Sequence, residues 1–327
     1  MKTEQATSGS NNSVYPKLHQ RFYDDGKVVI DQSASEYWRD SFRRFAVRDR
    51  GTEGFQLAGF AFGQSGSLSL RDRVFSWAGN TIHLSYLNMP GLRRDVREAK
   101  TVIRRMGLVF SQDGFRQVCI LNHLVRALQN QAPPQFILII GDGHGILSAL
   151  LHTRFPSARI VLVDLGSVLF FQSYHLHKAF PDASQVIADE APAGDESTFA
   201  FCPADRLEAL PKGSIDLAVN VASMQEMDPA ITACYFDFLR QRATRKFYCC
   251  NRTEKLIGGN IIRFMEFPWL KNDVHLVDES CAWHQWFFGL GSSPNVKFAG
   301  IPVPFMHRYD GQHWHRLTVL AKSVKNE

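Results

Sequence analysis

Phe136-Ile-Leu-Ile-Ile-Gly-Asp-Gly-His-Gly145 decides how this chain is read. Five apolar residues in a row are what a parallel strand buried on both faces requires. The Gly-x-Gly-x-Gly behind them predicts a tight turn at the carboxyl end of that strand, and a helix then runs to about residue 154. Glycines let the backbone approach a ligand, and the first amides of the helix favour negative groups. Asp164 follows directly on a second apolar strand, Ile160–Val163. An acid about 20 residues past such a turn is placed to take the ribose hydroxyls of a nucleotide. A pyrophosphate dinucleotide wants Gly or Ala at the sixth position of the turn. Here that position is Ile146, which argues against a nicotinamide cofactor.

Outward from the turn, the pattern alternates. Apolar strands are expected at 159–163, 215–221 and 246–250, with helices at 166–180 and 229–243 between them. Strand–helix alternation is the signature of a parallel sheet with crossover helices. Residues 184–200 read as polar and irregular, and Val303–Tyr309 with His313–Ala321 as a hairpin around Asp310-Gly311. Before the break at Gln131-Ala-Pro-Pro134 the texture differs. Residues 1–15 read as a disordered tail, 33–48 as a helix capped by Ser33 or Ser35, 51–90 as short strands or loops, and 92–107 and 114–130 as amphipathic helices. Three parts follow: the tail, a largely helical region over 16–131 that shapes the substrate site, and a core over 132–327.

Composition narrows the class. The 327 residues hold 45% hydrophobic and 21% charged residues, which is ordinary for a globular protein. The formal charge is +5, but the arginines of 93–105 alternate with Val96, Ala99, Ile103 and Met106, so they read as a solvated helix face and not as a nucleic-acid patch. No long apolar run or leader-like segment is present, so a cytoplasmic chain with no membrane contact is expected. The six cysteines show no zinc-site spacing and read as buried reduced thiols, so no metal is expected. Cys249 and Cys250, adjacent in a strand, should face opposite sides of the sheet. A homodimer is compatible with the sequence.

The glycine turn resembles motif I of the class I S-adenosylmethionine (SAM)-dependent methyltransferases, and Asp164 resembles their ribose-binding acid. The phrases VDLGSVLFFQSYHL, FCPADRLEAL, IDLAVNVASMQEMDPAITACYFDFL and FYCCNRTEK resemble the bacterial sugar O-methyltransferase family, over about 136–255. The resemblance implies a Rossmann-like α/β core, SAM as cofactor, and methyl transfer to a hydroxyl of a sugar or glycosylated small molecule. It also implies that Asp205, in Cys202-Pro-Ala-Asp-Arg206, contacts adenine; its alternative role is a helix N-cap. One departure stands out: many members carry an acid two residues before the first glycine, and here that residue is Ile139.

The expected cofactor set is Gly141, Asp142, Gly143, His144, Gly145, Asp164, Leu165, Asp205 and Asn220. Ligands of open parallel sheets bind beyond the carboxyl ends of the strands. Asn220-Val-Ala-Ser-Met-Gln-Glu226 and Asn251-Arg252 lie at two such ends. Ser223 and Gln225 are therefore expected to position an acceptor, Glu226 to take its proton, and Arg252 to grip it. Glu226 has the alternative role of a helix-start acid. His284, His307, His313 and His315 are further candidate bases, and His313 and His315 share one strand face. The rival readings are a non-sugar acceptor at O, C or N, and a SAM-binding chain without activity. Asn220-Val-Ala-Ser lacks the prolines and aromatic that stack a flipped base, so a nucleic-acid substrate is not expected.

Overall fold

The computed structural model describes residues 13–29, 34–43, 45–49, 55–58, 70–191, 195–210, 213–257, 259–288, 297–298, 300–302, 306–308 and 312–322. An eight-stranded sheet organises them. Its strands are β1 (Phe136–Ile140), β2 (Arg159–Asp164), β3 (Gln185–Ile187), β4 (Phe199–Pro203), β5 (Leu217–Val221), β6 (Phe247–Arg252), β7 (Val274–Ser280) and β8 (His313–Val319). They lie in the order β3-β4-β2-β1-β5-β6-β8-β7. The six strands from β3 to β6 are parallel, and β8 runs antiparallel to both β6 and β7. This is the expected α/β sheet with helices on both faces. The chain leaves β1 toward β2 on one side and returns to β5 on the other. That reversal of strand order opens a crevice above β1, where the glycine turn sits.

Eight helices are described: α1 (Tyr15–Phe22), α2 (Glu36–Phe42), α3 (Leu70–Tyr86), α4 (Leu92–Arg105), α5 (Gln112–Leu128), α6 (Ile146–Arg154), α7 (Gly166–Ala179) and α8 (Pro229–Gln241). Strand alternation divides the core. Ile137, Ile139, Ile160, Leu162, Tyr248 and Cys250 pack with α4, α5, α6 and α7 on one face. Leu138, Ile140, Val161, Val163, Phe247 and Cys249 pack with α8 on the other. Cys249 and Cys250 thus face opposite sides, as their adjacency requires. The α7 face is aromatic: Phe170 meets Tyr23, Phe55 and His19 at centroid distances of 5.4, 5.0 and 5.6 Å.

Several expectations change. The helix expected over 33–48 is shorter: it ends at Phe42, and Ala46–Asp49 turns into a strand paired with Phe55–Ala58. Ser35 occupies the N-cap position but its hydroxyl makes no capping hydrogen bond among the described residues, and Ser33 lies outside them. The stretch expected as short strands or loops holds a short strand, Phe55–Ala58, and also α3, whose polar and apolar residues are only weakly segregated between its faces. Leu70, Val74, Trp77 and Ile82 of α3 are exposed. The polar stretch 184–200 holds β3 and the first residues of β4 at its two ends. The tail expected over 1–15 lies mostly outside the described residues, although Tyr15 begins α1. The C-terminal antiparallel pair exists with other partners: His313–Val319 pairs with Val274–Ser280, and Met306–Arg308 pairs with Trp286–Phe288. Asp310-Gly311 lies outside the described residues. Local turn chemistry pointed to the nearest partner, whereas sheet completion chose a distant one. Among the described residues no helix is long and apolar enough to cross a membrane.

Candidate active site

A cavity of about 390 Å³ opens above the carboxyl ends of β1, β2, β5 and β6, a size within the usual range of small-molecule sites. The glycine turn forms its floor. Gly141, Gly143 and Gly145 have φ of 75°, 58° and 79°, the left-handed region that other residues enter at a cost. Gly141 has a second constraint. A Cβ built there would stand 2.2 Å from the hydroxyl oxygen of Ser223. Ser223 therefore packs on the turn instead of reaching into open space, and its hydroxyl donates to the Ile140 carbonyl at 3.1 Å.

Two half-buried carboxylates stand here, Asp142 within the turn and Asp164 at the end of β2. Asp142 accepts from the amides of Leu147 and Ser148 at 3.1 and 2.7 Å and from the Ser148 hydroxyl. It thereby caps the start of α6. Asp164 accepts from the Leu165 amide at 2.9 Å and from Gln172 Nε2 at 2.6 Å. The Gly141 amide donates to the Val163 carbonyl at 2.9 Å, which sets the bend beside the strand end that carries Asp164. Burial pushes both carboxyls up to about 7; for Asp164 the nearby Asp142 adds to the rise. Both line the cavity, with Leu165 and His144 beside them. The His144 ring packs 5.3 Å from His175, and burial holds it well below its ordinary pKa, so it is a neutral imidazole at pH 7.

Asn220 lies beneath the cavity. Its amide donates to Ile140 at 2.9 Å and to Ser223 at 2.5 Å, and its Oδ1 accepts from Asn251 Nδ2 at 2.8 Å. Gln225 continues the lattice: its amide donates to Asn251 Oδ1 at 3.1 Å and its Oε1 accepts from the Arg252 amide at 2.7 Å. The ends of β1, β5 and β6 are tied together in this way, and Ala222 is held at φ 54°. A non-glycine residue in that region costs about 1 kcal/mol or more, which the lattice offsets. Asp205 sits elsewhere. It is half-exposed and lies 3.7 Å from Arg206, and Ala204 is the neighbour that reaches the cavity. Gly145 and Asn220 support the wall without lining it.

The opposite wall is polar and more cationic. Glu226 is buried and bonds Lys255 at 2.5 Å. Burial raises its pKa, against the pull of Lys255 and Arg252. Lys255 also stands 4.5 Å from the centre of the Tyr37 ring, which holds α2 over the site. Arg252, Asp113, Arg116 and Gln117 complete the wall with His284 and His313. Gln117 Oε1 is buried with no hydrogen-bond partner among the described residues. Burial, aided by Arg252 and Arg116, drives His313 down to about 3, so it is a neutral acceptor at physiological pH. Of the four tail histidines, His284 and His313 reach the cavity; His307 and His315 are buried away from it.

Sequence reasoning missed Lys255, Arg116, Gln117, Tyr37 and Trp38. Arg116 and Gln117 sit inside a periodic helix and resemble ordinary surface residues there. Their one signal is that α5 is buried over most of its circumference.

No family model and no curated protein matches the chain. Solved structures do. The methyltransferase domain of bacterial CtHen1-CN is 13% identical over 63% of this chain and 97% of its own, with a TM-score of 0.34. Coclaurine N-methyltransferase bound to N-methylheliamine and SAH is 10% identical over 50% of each chain, with a TM-score of 0.35. The pyocyanin biosynthetic protein PhzM is 15% identical over 44% of this chain and 41% of its own, with a TM-score of 0.30.

Proposed function

We propose that this chain is a SAM-dependent methyltransferase that methylates a hydroxyl of a sugar or glycosylated small molecule. The observation that carries the reading is the placement of a half-buried carboxylate, Asp164, beside the glycine turn on the lining of one ligand-sized cavity, with the Gly141 amide bonded to the neighbouring Val163 carbonyl at 2.9 Å. The fit follows from the chemistry of the residues. Asp164 lines the cavity and offers acceptor oxygens to a ribose diol. Gly141, Gly143, Leu165 and the neutral His144 would hold the remainder of the cofactor, and Ala204 would border its base. When bound, SAM supplies an activated methyl group on a sulfonium.

The chain's own residues account for the acceptor side. A sugar hydroxyl is a poor nucleophile near neutral pH, so a base raises its reactivity. Glu226, partly desolvated and fixed by Lys255, takes the hydroxyl proton in this reading. Neutral His313 is the alternative acceptor on the same wall. Arg252 and Arg116 bind hydroxyl or phosphate oxygens, and Gln117 Oε1 accepts a further hydroxyl. Tyr37 and Trp38 offer faces against which a sugar ring packs. Ser223, Gln225 and Asn220 act as positioning residues, since their polar groups are spent on the lattice beneath the cavity. Residues 16–131 then shape the acceptor site through α2 and α5.

The alternative acceptors, non-sugar O, N or C centres, are weighed against the same wall. Its guanidinium, ammonium and carboxylate groups favour a hydroxylated or anionic molecule over a flat apolar one. The test is methyl transfer from labelled SAM to a panel of nucleotide sugars, glycosides and aglycones, with calorimetry for SAM and S-adenosylhomocysteine. Transfer to the glycosylated members supports the reading. Absence of cofactor binding overturns it, and binding without transfer to any acceptor points to the inactive SAM-binding alternative.

A further inference from the structure

Two cysteines and a histidine converge behind the cationic wall. Cys250 is near the end of β6, and Cys281 and His284 share the turn that follows β7. Cys281 Sγ lies 3.3 Å from His284 Nδ1, and Cys250 Sγ lies 3.9 Å from it. The three atoms all stand within 4.8 Å of one another, and all three residues are buried. We propose that Cys250, Cys281 and His284 bind a thiophilic, four-coordinate divalent cation of the zinc class. The inference does not depend on the methyl-transfer reading.

The spacing fits the chemistry. Zinc bonds of about 2.3 Å to sulfur and about 2.0 Å to nitrogen set tetrahedral ligands roughly 3.5 Å apart, close to the separations found here. Two thiolates and an imidazole select a soft or borderline ion over magnesium or calcium. The scaffold is rigid. The Cys281 amide donates to the His313 carbonyl at 2.8 Å, which ties the turn to β8. β8 in turn pairs with β6, opposing His315 to Cys250. The His284 ring stacks on that of His313 at 4.7 Å and 24°. Burial pushes the Cys281 thiol up, so without a cation it stays protonated. Binding would displace the two thiol protons to solvent and exchange them for metal–sulfur bonds. Three protein ligands leave a fourth position for another donor. His284 also lines the cavity, so the cation would sit an imidazole's width from the acceptor space.

The sequence did not announce this site. Cys250 and Cys281 are separated by three strands, Glu254–Ile257, Asn260–Arg263 and β7, and Cys281-Ala-Trp-His284 lacks a familiar finger spacing.

The test uses the full chain, reduced and stripped with a chelator, then titrated with Co²⁺. The expected result is saturation at one equivalent, with thiolate-to-cobalt charge transfer and the intense visible bands of a tetrahedral ion, both displaced by Zn²⁺. Cys250→Ser, Cys281→Ser and His284→Asn should each weaken Co²⁺ binding at least tenfold. Cys234→Ser, at an exposed thiol on α8, should change nothing. Circular dichroism identifies which variants fold, and any one that folds decides the assignment. The wild-type spectrum decides the thiolate content independently of them. Lack of charge transfer in the wild type, or the same spectrum in a folded Cys281→Ser protein, would overturn the proposal. So would a Cys250–Cys281 disulfide that persists after reduction.

Discussion

The two walls of the cavity obtain their chemistry in opposite ways. The glycine-turn wall is built from one continuous strand–turn–helix and the acid that ends the next strand. Its key groups, Asp142 and Asp164, are half-buried carboxylates whose desolvation pushes their pKa up to about 7. The facing wall is assembled from α2, α5, the β5–α8 connection, the end of β6 and the tail. It holds Glu226 beside Lys255 and Arg252, with Arg116 on the same lining. In the proposed reading the first wall meets the cofactor and the second a hydroxylated or anionic acceptor. One wall of a cavity can thus be local in sequence while the other is recruited from wherever the fold brings side chains.

The largest effect expected is at Glu226. In Glu226→Gln the rate of methyl transfer should fall about 10²- to 10⁴-fold, the usual contribution of a general base, while the calorimetric Kd for SAM is unchanged. Wild-type activity should fall as pH drops through the raised Glu226 pKa, because the base must be ionised, and the variant should lack that limb. An unchanged rate in the variant would transfer the role to His313. Next in size is Asp164→Ala. Two hydrogen bonds to a charged group are worth roughly 1.5–3 kcal/mol each, so SAM and S-adenosylhomocysteine should bind at least about a hundredfold more weakly. Undiminished binding would dissolve the distinction between the walls.

Arg252→Ala sharpens the comparison from the other side. Losing one charge-assisted contact should raise the acceptor KM about tenfold and leave cofactor affinity as it was. Equal damage to both would mean that the walls do not act separately. The pH dependence of SAM affinity should also separate them. A carboxylate that titrates near 7 accepts ribose hydroxyls best when ionised, so affinity should drop by up to about tenfold per pH unit below 7 and level off above it. Isothermal titration across pH 6–8.5 reads this directly.

The smallest effect is on stability. The folded Asp164 pKa lies above its ordinary value of 3.8, so its charge penalises the fold above about pH 7. That penalty fades as pH falls toward 3.8, where both states are neutral. Asp164→Asn should therefore hold or raise the Tm at pH 8 by a few degrees, of order 1 kcal/mol, and narrow the gap as pH falls. A clear fall in Tm at pH 8 would show that the contacts of the carboxylate outweigh its desolvation.

Legibility tracked sequence separation. The strand 136–140, the turn 141–145 and Asp164 were readable because each follows from neighbouring residues: apolar runs form buried strands, and three glycines permit φ that other residues resist. Asp205 misled for the same local reason, since its place after β4 is right while its side chain turns outward to Arg206. Ser223, Gln225 and Asn220 were found at the correct strand ends, yet their polar atoms serve the lattice beneath the cavity, a matter of orientation that spacing does not encode. α3 escaped because its apolar residues are not confined to one face.

The sequence alone therefore determined the parallel core, the position of the crevice and the carboxylate beside the bend, because hydrophobic periodicity and glycine stereochemistry act over a few residues. Only the tertiary structure decided which strand closes the sheet beside β8, that Arg116 lines one cavity with Lys255 and Glu226, and that Cys250 meets Cys281 and His284. Those outcomes depend on packing between segments far apart in the chain, where burial and complementary charge select among partners that no local pattern can rank.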